Sequence, residues 1–161
     1  MSLKNSCKLL EFHQIETVFS LFATEWEIIT KSSLTEYWKL MNAVQIKKIA
    51  ENSLFSIGSH AMTHANLIEI TNQNAKDEIL KSKNILEDIT GKEITAFAFP
   101  FGTYNQNLVA YCEEIGFTKM LLVDYNSEKD KTNNALKKRF VINPYISQNH
   151  LLHCLLKDSY Y

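Results

Sequence analysis

Short apolar runs rich in β-branched and aromatic residues alternate with stretches of helical periodicity along the chain, and no two-residue hairpin signal separates them. Strands joined by helices rather than tight turns pair in parallel through right-handed crossovers, so this alternation predicts an α/β fold. The strand candidates are 16–23, 54–58, 95–99, 118–123 and 139–143. The first of these, Glu-Thr-Val-Phe-Ser-Leu-Phe-Ala, has the make-up of a buried strand. The helix candidates are 3–13, a short helix opened by Asn42, 71–90, 105–115 and 147–157. Asn42 with Gln45 has the form of a capping box, and Ile46, Ile49 and Ala50 mark the inner face of that helix. Thr71 and Ser147 are suited to N-caps, while Gly91 and Gly116 supply stops. Along 71–90, Ala75, Ile79, Leu86 and Ile89 face inward, and the Lys, Asp and Glu residues are expected to form a solvated face. Loops 24–41 and 124–137 carry no periodicity; Trp26, Tyr37 and Trp38 are read as covering the core edge in preference to stacking on a sugar.

With 161 residues the chain is expected to form one domain around one core. Its formal charge is −1, with Lys and Glu scattered rather than blocked, so it has no electrostatic footprint for nucleic acid or an anionic membrane. The apolar runs are too short to span a bilayer and Met1 is followed by no secretory pattern, so the chain as written reads as cytoplasmic. Cys7, Cys112 and Cys154 are an odd number without close pairing, as expected of reduced, partly buried thiols.

The strongest chemical signal is Ser59-His60-Ala61-Met62-Thr63-His64, directly after Leu54-Phe55-Ser56-Ile57-Gly58. Two imidazoles at this spacing can converge on one point, and neutral imidazole is the commonest protein ligand for a divalent transition metal. A chain with five His contains such a pair by composition often enough that spacing alone decides little. Position adds the weight: strand-like residues, then a Gly, then polar residues around both His, which is where open α/β sheets collect their chemistry. A second stretch, Pro100-Phe101-Gly102, ends the 95–99 strand; the proline must leave the ladder and the glycine permits close backbone approach.

Taken together, Ser59 to His64 and Phe97-Ala98-Phe99-Pro100-Phe101-Gly102-Thr103-Tyr104-Asn105 resemble the second and third motifs of the polysaccharide deacetylases, the NodB-homology group of carbohydrate esterase family four. The resemblance covers about Leu9 to Ile146 and implies a distorted (β/α) barrel of about seven strands, incomplete here at its N-terminus. It implies a metal-dependent hydrolase removing acetyl groups, N-acetyl before O-acetyl, from a polysaccharide or glycan precursor. His60 and His64 would be the metal ligands, with zinc preferred over cobalt, nickel or manganese. Pro100 would shape the acetyl pocket, and the backbone N–H of Phe101 would help hold the oxyanion. Many relatives carry Arg where this chain has Ala98; Arg139 resembles the Arg that precedes a late strand in the Ala-containing subgroup, and is a candidate to reach the site from another side. Leu151-Leu152-His153 matches a Leu-x-His motif literally, yet within an amphipathic helix where a satisfied His is the better reading.

The family's Asp-Asp segment, source of the catalytic base and a third ligand, has no counterpart, since no Asp-Asp pair occurs in the sequence. Residues 2–14 resemble the helix that follows that segment in relatives, so the chain is expected to start inside a longer deacetylase. The alternatives are a short protein that takes the carboxylate from another chain, and a noncatalytic remnant with a glycan-binding or structural role. Loss of a first strand would also expose a sheet edge, through which a second copy could associate. Sequencing upstream of the codon for Met1 tests this: an in-frame Thr-Phe-Asp-Asp-Gly is expected, and an unrelated sequence or a stop there overturns it.

Overall fold

The computed structural model describes residues 10, 12–21, 39–140 and 145–157. The elements in order are α1 (Phe12–Ser20), α2 (Ala43–Glu51), α3 (Asn72–Thr90), β1 (Ala96–Ala98), a 3-10 turn (Pro100–Gly102), α4 (Gln106–Glu114), β2 (Lys119–Leu122), a second 3-10 turn (Glu128–Thr132), β3 (Leu136–Lys138) and α5 (Gln148–Lys157). The three strands lie in the order β1-β2-β3, all parallel, with Phe97 opposite Met120 and Met120 opposite Leu136. This is the expected α/β class with a parallel sheet. A ring of about seven strands is not formed by the described residues.

The helix ends follow the sequence chemistry. Asn42 and Gln45 form the reciprocal capping box, Gln45 N–H donating to Asn42 Oδ1 at 3.0 Å and Asn42 N–H to Gln45 Oε1 at 2.9 Å. Thr71 Oγ1 accepts from the Asn74 N–H, and α3 stops at Gly91, whose left-handed φ of 64° lets its N–H reach Glu87 O. Helix α2 packs on α3, and α3 on α4. Between α3, α4 and the sheet, Ala75, Ile79, Phe97, Phe99, Leu108, Cys112, Phe117, Met120 and Leu122 are buried in one core. Phe97 meets Phe99 edge to face with centroids 5.0 Å apart, a favourable ring geometry. Burial pushes the Cys112 thiol up to about 12, as an inert core cysteine requires.

Four sequence expectations are corrected. The run at 16–23 predicts a strand, but residues 16–20 belong to α1; Ile15 and Val18 are its half-buried positions, and this three-residue spacing is helical. The run at 54–58 is no strand: Asn52 takes the Leu54 N–H through Oδ1 and the Phe55 N–H through its carbonyl, and Leu54 is 85% exposed. The last strand falls at Leu136–Lys138 rather than 139–143, because pairing with β2 starts where Met120 N–H reaches Ala135 O; residues 141–144 lie outside the described set. The α3 charges are not uniformly solvated either. Lys83 is buried, contacts the Glu87 carboxylate, donates to Ile94 O at 2.8 Å, and lies over the Phe117 ring. It occupies the turn after Ile79, so its stem shares the inward face. The helix expected at 3–13 lies mostly outside the described residues, as do Cys7, Trp26, Tyr37 and Trp38.

The segment from β2 to β3 is closed by Asp130, which is buried. Its carboxylate accepts from Tyr104 Oη at 2.8 Å, Gln106 Nε2 at 2.7 Å, and the N–H groups of Asn126 and Ser127 at 3.1 and 3.0 Å. Burial pushes the Tyr104 phenol up to about 12, so it stays a donor. The hydrogen bond from Tyr104, with those from Gln106 and Ser127, holds the Asp130 pKa below the ordinary carboxylate value despite burial. A depressed folded pKa gives stability that is fully present above the unfolded carboxylate pKa of about 3.9 and is lost as pH falls through the folded value. Asp130→Asn is expected to cost about 2 kcal/mol at pH 7 and to flatten the loss of stability below pH 4, read from urea midpoints of both proteins across pH 3–7.

Candidate active site at the carboxyl ends of the strands

In parallel sheets every strand delivers its following loop to the same edge. Here that edge receives the histidine loop after Ser59, the Pro100–Gly102 turn after β1, Val123 after β2 and Arg139 after β3. Ser59 is joined to β1 as an isolated parallel bridge: its N–H donates to Ala96 O at 2.9 Å and its carbonyl accepts from the Ala98 N–H at 2.8 Å. Gly58 lies so close to β1 that an added Cβ would stand 3.2 Å from Ala96 O. The bridge fixes where His60 begins.

The two imidazoles do converge. His60 and His64 lie edge to face with centroids 4.8 Å apart, and His64 in turn meets the Phe101 ring at 4.7 Å. His60 Nδ1 is 2.6 Å from Ala98 O. A carbonyl oxygen only accepts, so Nδ1 carries the proton, and the neutral ring keeps its lone pair on Nε2. Partial desolvation of His64, followed by the repulsion a charged His60 would exert, holds the His64 pKa below the ordinary histidine value. Both effects favour a ring able to act as a ligand.

The Pro100–Gly102 turn is built against this pair. Pro100 is buried and opens the turn, while Phe101 adopts φ 57° and ψ 0° and is 39% exposed. Gly102 follows at φ 74°, its N–H donating to Phe99 O at 3.0 Å. Thr103 Oγ1 donates to Asn66 Oδ1 at 2.6 Å, tying the turn to the chain just beyond His64. Arg139 is anchored elsewhere along the same edge, its backbone N–H at 2.9 Å and its Nε at 3.3 Å from Leu122 O. His153 lies exposed on α5.

A divalent metal fits this donor set in part. Two imidazoles are presented together, one with its tautomer fixed by a backbone carbonyl. Among the described residues no cluster of three or more His, Cys, Asp and Glu could hold an ion. A cavity of about 300 Å³ lies at the opposite end of the sheet, lined by Phe55, Ile57, Thr95, Thr118 and Lys119, and contains neither histidine. Sequence reasoning missed three supports of the site: Ser82, Glu78 and Asn66. Ser82 stands three residues after Ile79, on the inward face of α3, a signal visible in the helical period. Nothing local in the sequence points to Asn66.

Fold and site together define a parallel α/β protein with a paired-imidazole loop and a Pro-Phe-Gly turn at the carboxyl edge of its sheet. The family model described as polysaccharide deacetylase matches residues 3–120, and the chain belongs to that family. The Bacillus subtilis (strain 168) protein YxkH, which is named for the same family, is 29% identical over 73 residues, 45% of this chain and 26% of its own. The Bacillus cereus polysaccharide deacetylase BC0361 superposes with a TM-score of 0.52 at 28% identity, over 62% of this chain and 31% of its own. The Streptococcus pyogenes deacetylase PplD, solved in complex with acetate, gives a TM-score of 0.62 at 20% identity over 74% of this chain and 54% of its own, a likeness of fold. The chain thus spans about a quarter of YxkH and about half of PplD.

The tightness of the turn generates a test. A Cβ on Gly102 would stand 2.5 Å from Val123 Cγ2, in a backbone conformation that L side chains rarely adopt. Gly102→Ala is expected to cost about 1–3 kcal/mol in urea unfolding. Val123→Ala, at a half-exposed position, is expected to recover the steric part in the double variant but not the part due to φ.

Proposed function

We propose that this chain carries the metal-holding and acetyl-positioning part of a hydrolase that removes acetyl groups, N-acetyl before O-acetyl, from a polysaccharide or glycan precursor. The observation that carries the reading is the meeting of two sequence-distant motifs, His64 lying between His60 and Phe101 with ring centroids under 5 Å on both sides. Membership of the polysaccharide deacetylase family supports the substrate class. The three parallel strands and the Ser59 bridge are read as an arc of a barrel of about seven strands.

His60 and His64 would hold the ion, zinc in preference to cobalt, nickel or manganese. A bound divalent ion supplies Lewis acidity to the acetyl carbonyl and to the attacking water. The protein's own contributions follow from its geometry. Ala98 O orients the His60 ring and fixes its tautomer. The Phe101 ring lies edge to face against His64, and its backbone N–H is the donor assigned to the tetrahedral oxyanion. Pro100 is buried and opens that turn. Arg139, on the same edge, is assigned to the substrate side of the site. The sequence has no Asp-Asp pair, and the general base is assigned to no residue of this chain.

Zinc titration calorimetry on the chain tests the ligand assignment. His60→Ala and His64→Ala should each weaken binding by more than the ten- to hundredfold that loss of an outer partner costs. Acetyl release from chitooligosaccharide, with zinc and with chelator, should rise on the order of 10²–10⁴-fold when Thr-Phe-Asp-Asp-Gly is added before Met1, the usual contribution of a general base. Zinc binding with no acetyl release in either form would instead support a noncatalytic glycan-binding domain.

A further inference from the structure

We propose that α3 is the template that sets the histidine loop, with Ser82 and Glu78 as its positioning residues. Residues 59–64 include two non-glycine residues in the left-handed region, Ala61 at φ 64° and His64 at φ 58°. Left-handed L-residues bring Cβ against the following carbonyl, so such a segment persists only where its surroundings over-determine it. The structure supplies that constraint at two points.

The first is Ser59, which is buried and immediately precedes His60. Its Oγ lies 2.6 Å from Ser82 Oγ, and Ser82 Oγ donates to Ile79 O at 2.9 Å. The Ser82 proton is committed to the Ile79 carbonyl, so the Ser59 hydroxyl donates and Ser82 accepts. The second is Thr63, which immediately precedes His64; its N–H donates to Glu78 Oε2 at 2.7 Å. Glu78 and Ser82 are four residues apart and so project from one side of α3 in successive turns. One rigid face therefore clasps the residue before each histidine, and the contacts just described run to Ser59 and Thr63 rather than to the rings. Helix α3 suits this task because both its ends are capped and Lys83 ties it to Ile94 O at the entry to β1. The spacing of the imidazoles is inherited from the pitch of a helix outside the motif.

The consequence for metal affinity rests on the function proposed above, whereas the consequence for loop geometry does not. The test uses the whole chain, isotope-labelled and free of metal, and reads the cross-relaxation contact between the His60 and His64 rings together with hydrogen exchange of the Thr63 amide. Ser82→Ala and Glu78→Asp, whose shortened side chain withdraws the acceptor, should weaken the ring contact, and Glu78→Asp should speed Thr63 exchange at least tenfold. Glu78→Gln keeps an acceptor oxygen at the same reach and should restore both readouts to within about threefold of the parent. Thr90→Ala removes a hydroxyl bond to Leu86 O at the far end of α3 and should leave both unchanged.

In parallel, zinc dissociation constants should rise about 10–100-fold in Ser82→Ala and Glu78→Asp and stay near the parent value in Glu78→Gln. An unchanged ring contact and Thr63 exchange in both test variants, or equal loss in Thr90→Ala, overturns the proposal. If the parent binds no zinc, the proposed function fails, and the positioning role is still decided by the metal-free readouts.

Discussion

The arrangement depends on a pair of backbone hydrogen bonds, Ser59 N–H to Ala96 O and Ala98 N–H to Ser59 O. They are a strand pairing reduced to one residue, yet they join the histidine segment to β1 across nearly forty intervening residues. Once Ser59 is in that register, Ala98 O is in place to accept from His60 Nδ1, and the Phe101 ring, three residues further along, meets His64. The chemistry of the edge is a consequence of backbone register. The close seat of Gly58 on Ala96 explains a small residue there: a side chain would crowd the neighbouring backbone just before the bridge.

A second layer holds the loops that a parallel sheet gathers at one edge. Loops of irregular backbone must place their polar groups somewhere, and buried ones need partners. Asp130 meets that need for the segment leaving β2 by accepting from Tyr104, Gln106, Asn126 and Ser127 at once. Tyr104 therefore links the turn after β1 to the loop after β2, and Thr103 links the same turn to Asn66. Neighbouring residues of one motif bind different loops.

Legibility in the sequence followed how local each determinant is. The capping box at Asn42, the Thr71 cap and the Gly91 stop were readable because each is closed by residues within a few positions. The strands β1 and β2 were readable because Phe97, Met120 and Leu122 are buried on one face while Ala96, Ala98 and Leu121 on the other are half-buried, so their apolar runs are continuous. The runs at 16–23 and 54–58 misled for the same reason in reverse: a short apolar stretch lacks a period that separates helix, strand and exposed coil. Asn52 decided the second case by taking two amides that a ladder would need. Lys83 was misjudged as solvated because its charge outweighed its place on the inward face of α3, where its long stem buries and its ammonium finds Glu87 and Ile94 O.

By itself, the sequence determined the α/β class, the capped ends of α2 and α3, the family, and the two motifs that bear the candidate chemistry, since all of these are written in periodicity, caps and contiguous residues. Tertiary structure alone decided that His60, His64 and Phe101 face one another, that Asp130 closes the loop after β2, and that Ser82 and Glu78 grip the histidine segment. The physical reason is that a hydrogen bond or a ring contact depends on distance in space. In this chain those distances are set by the single-residue pairing at Ser59, which leaves no periodic mark, and by the pitch of α3, whose period shows that Ser82 faces inward but not which residue it meets.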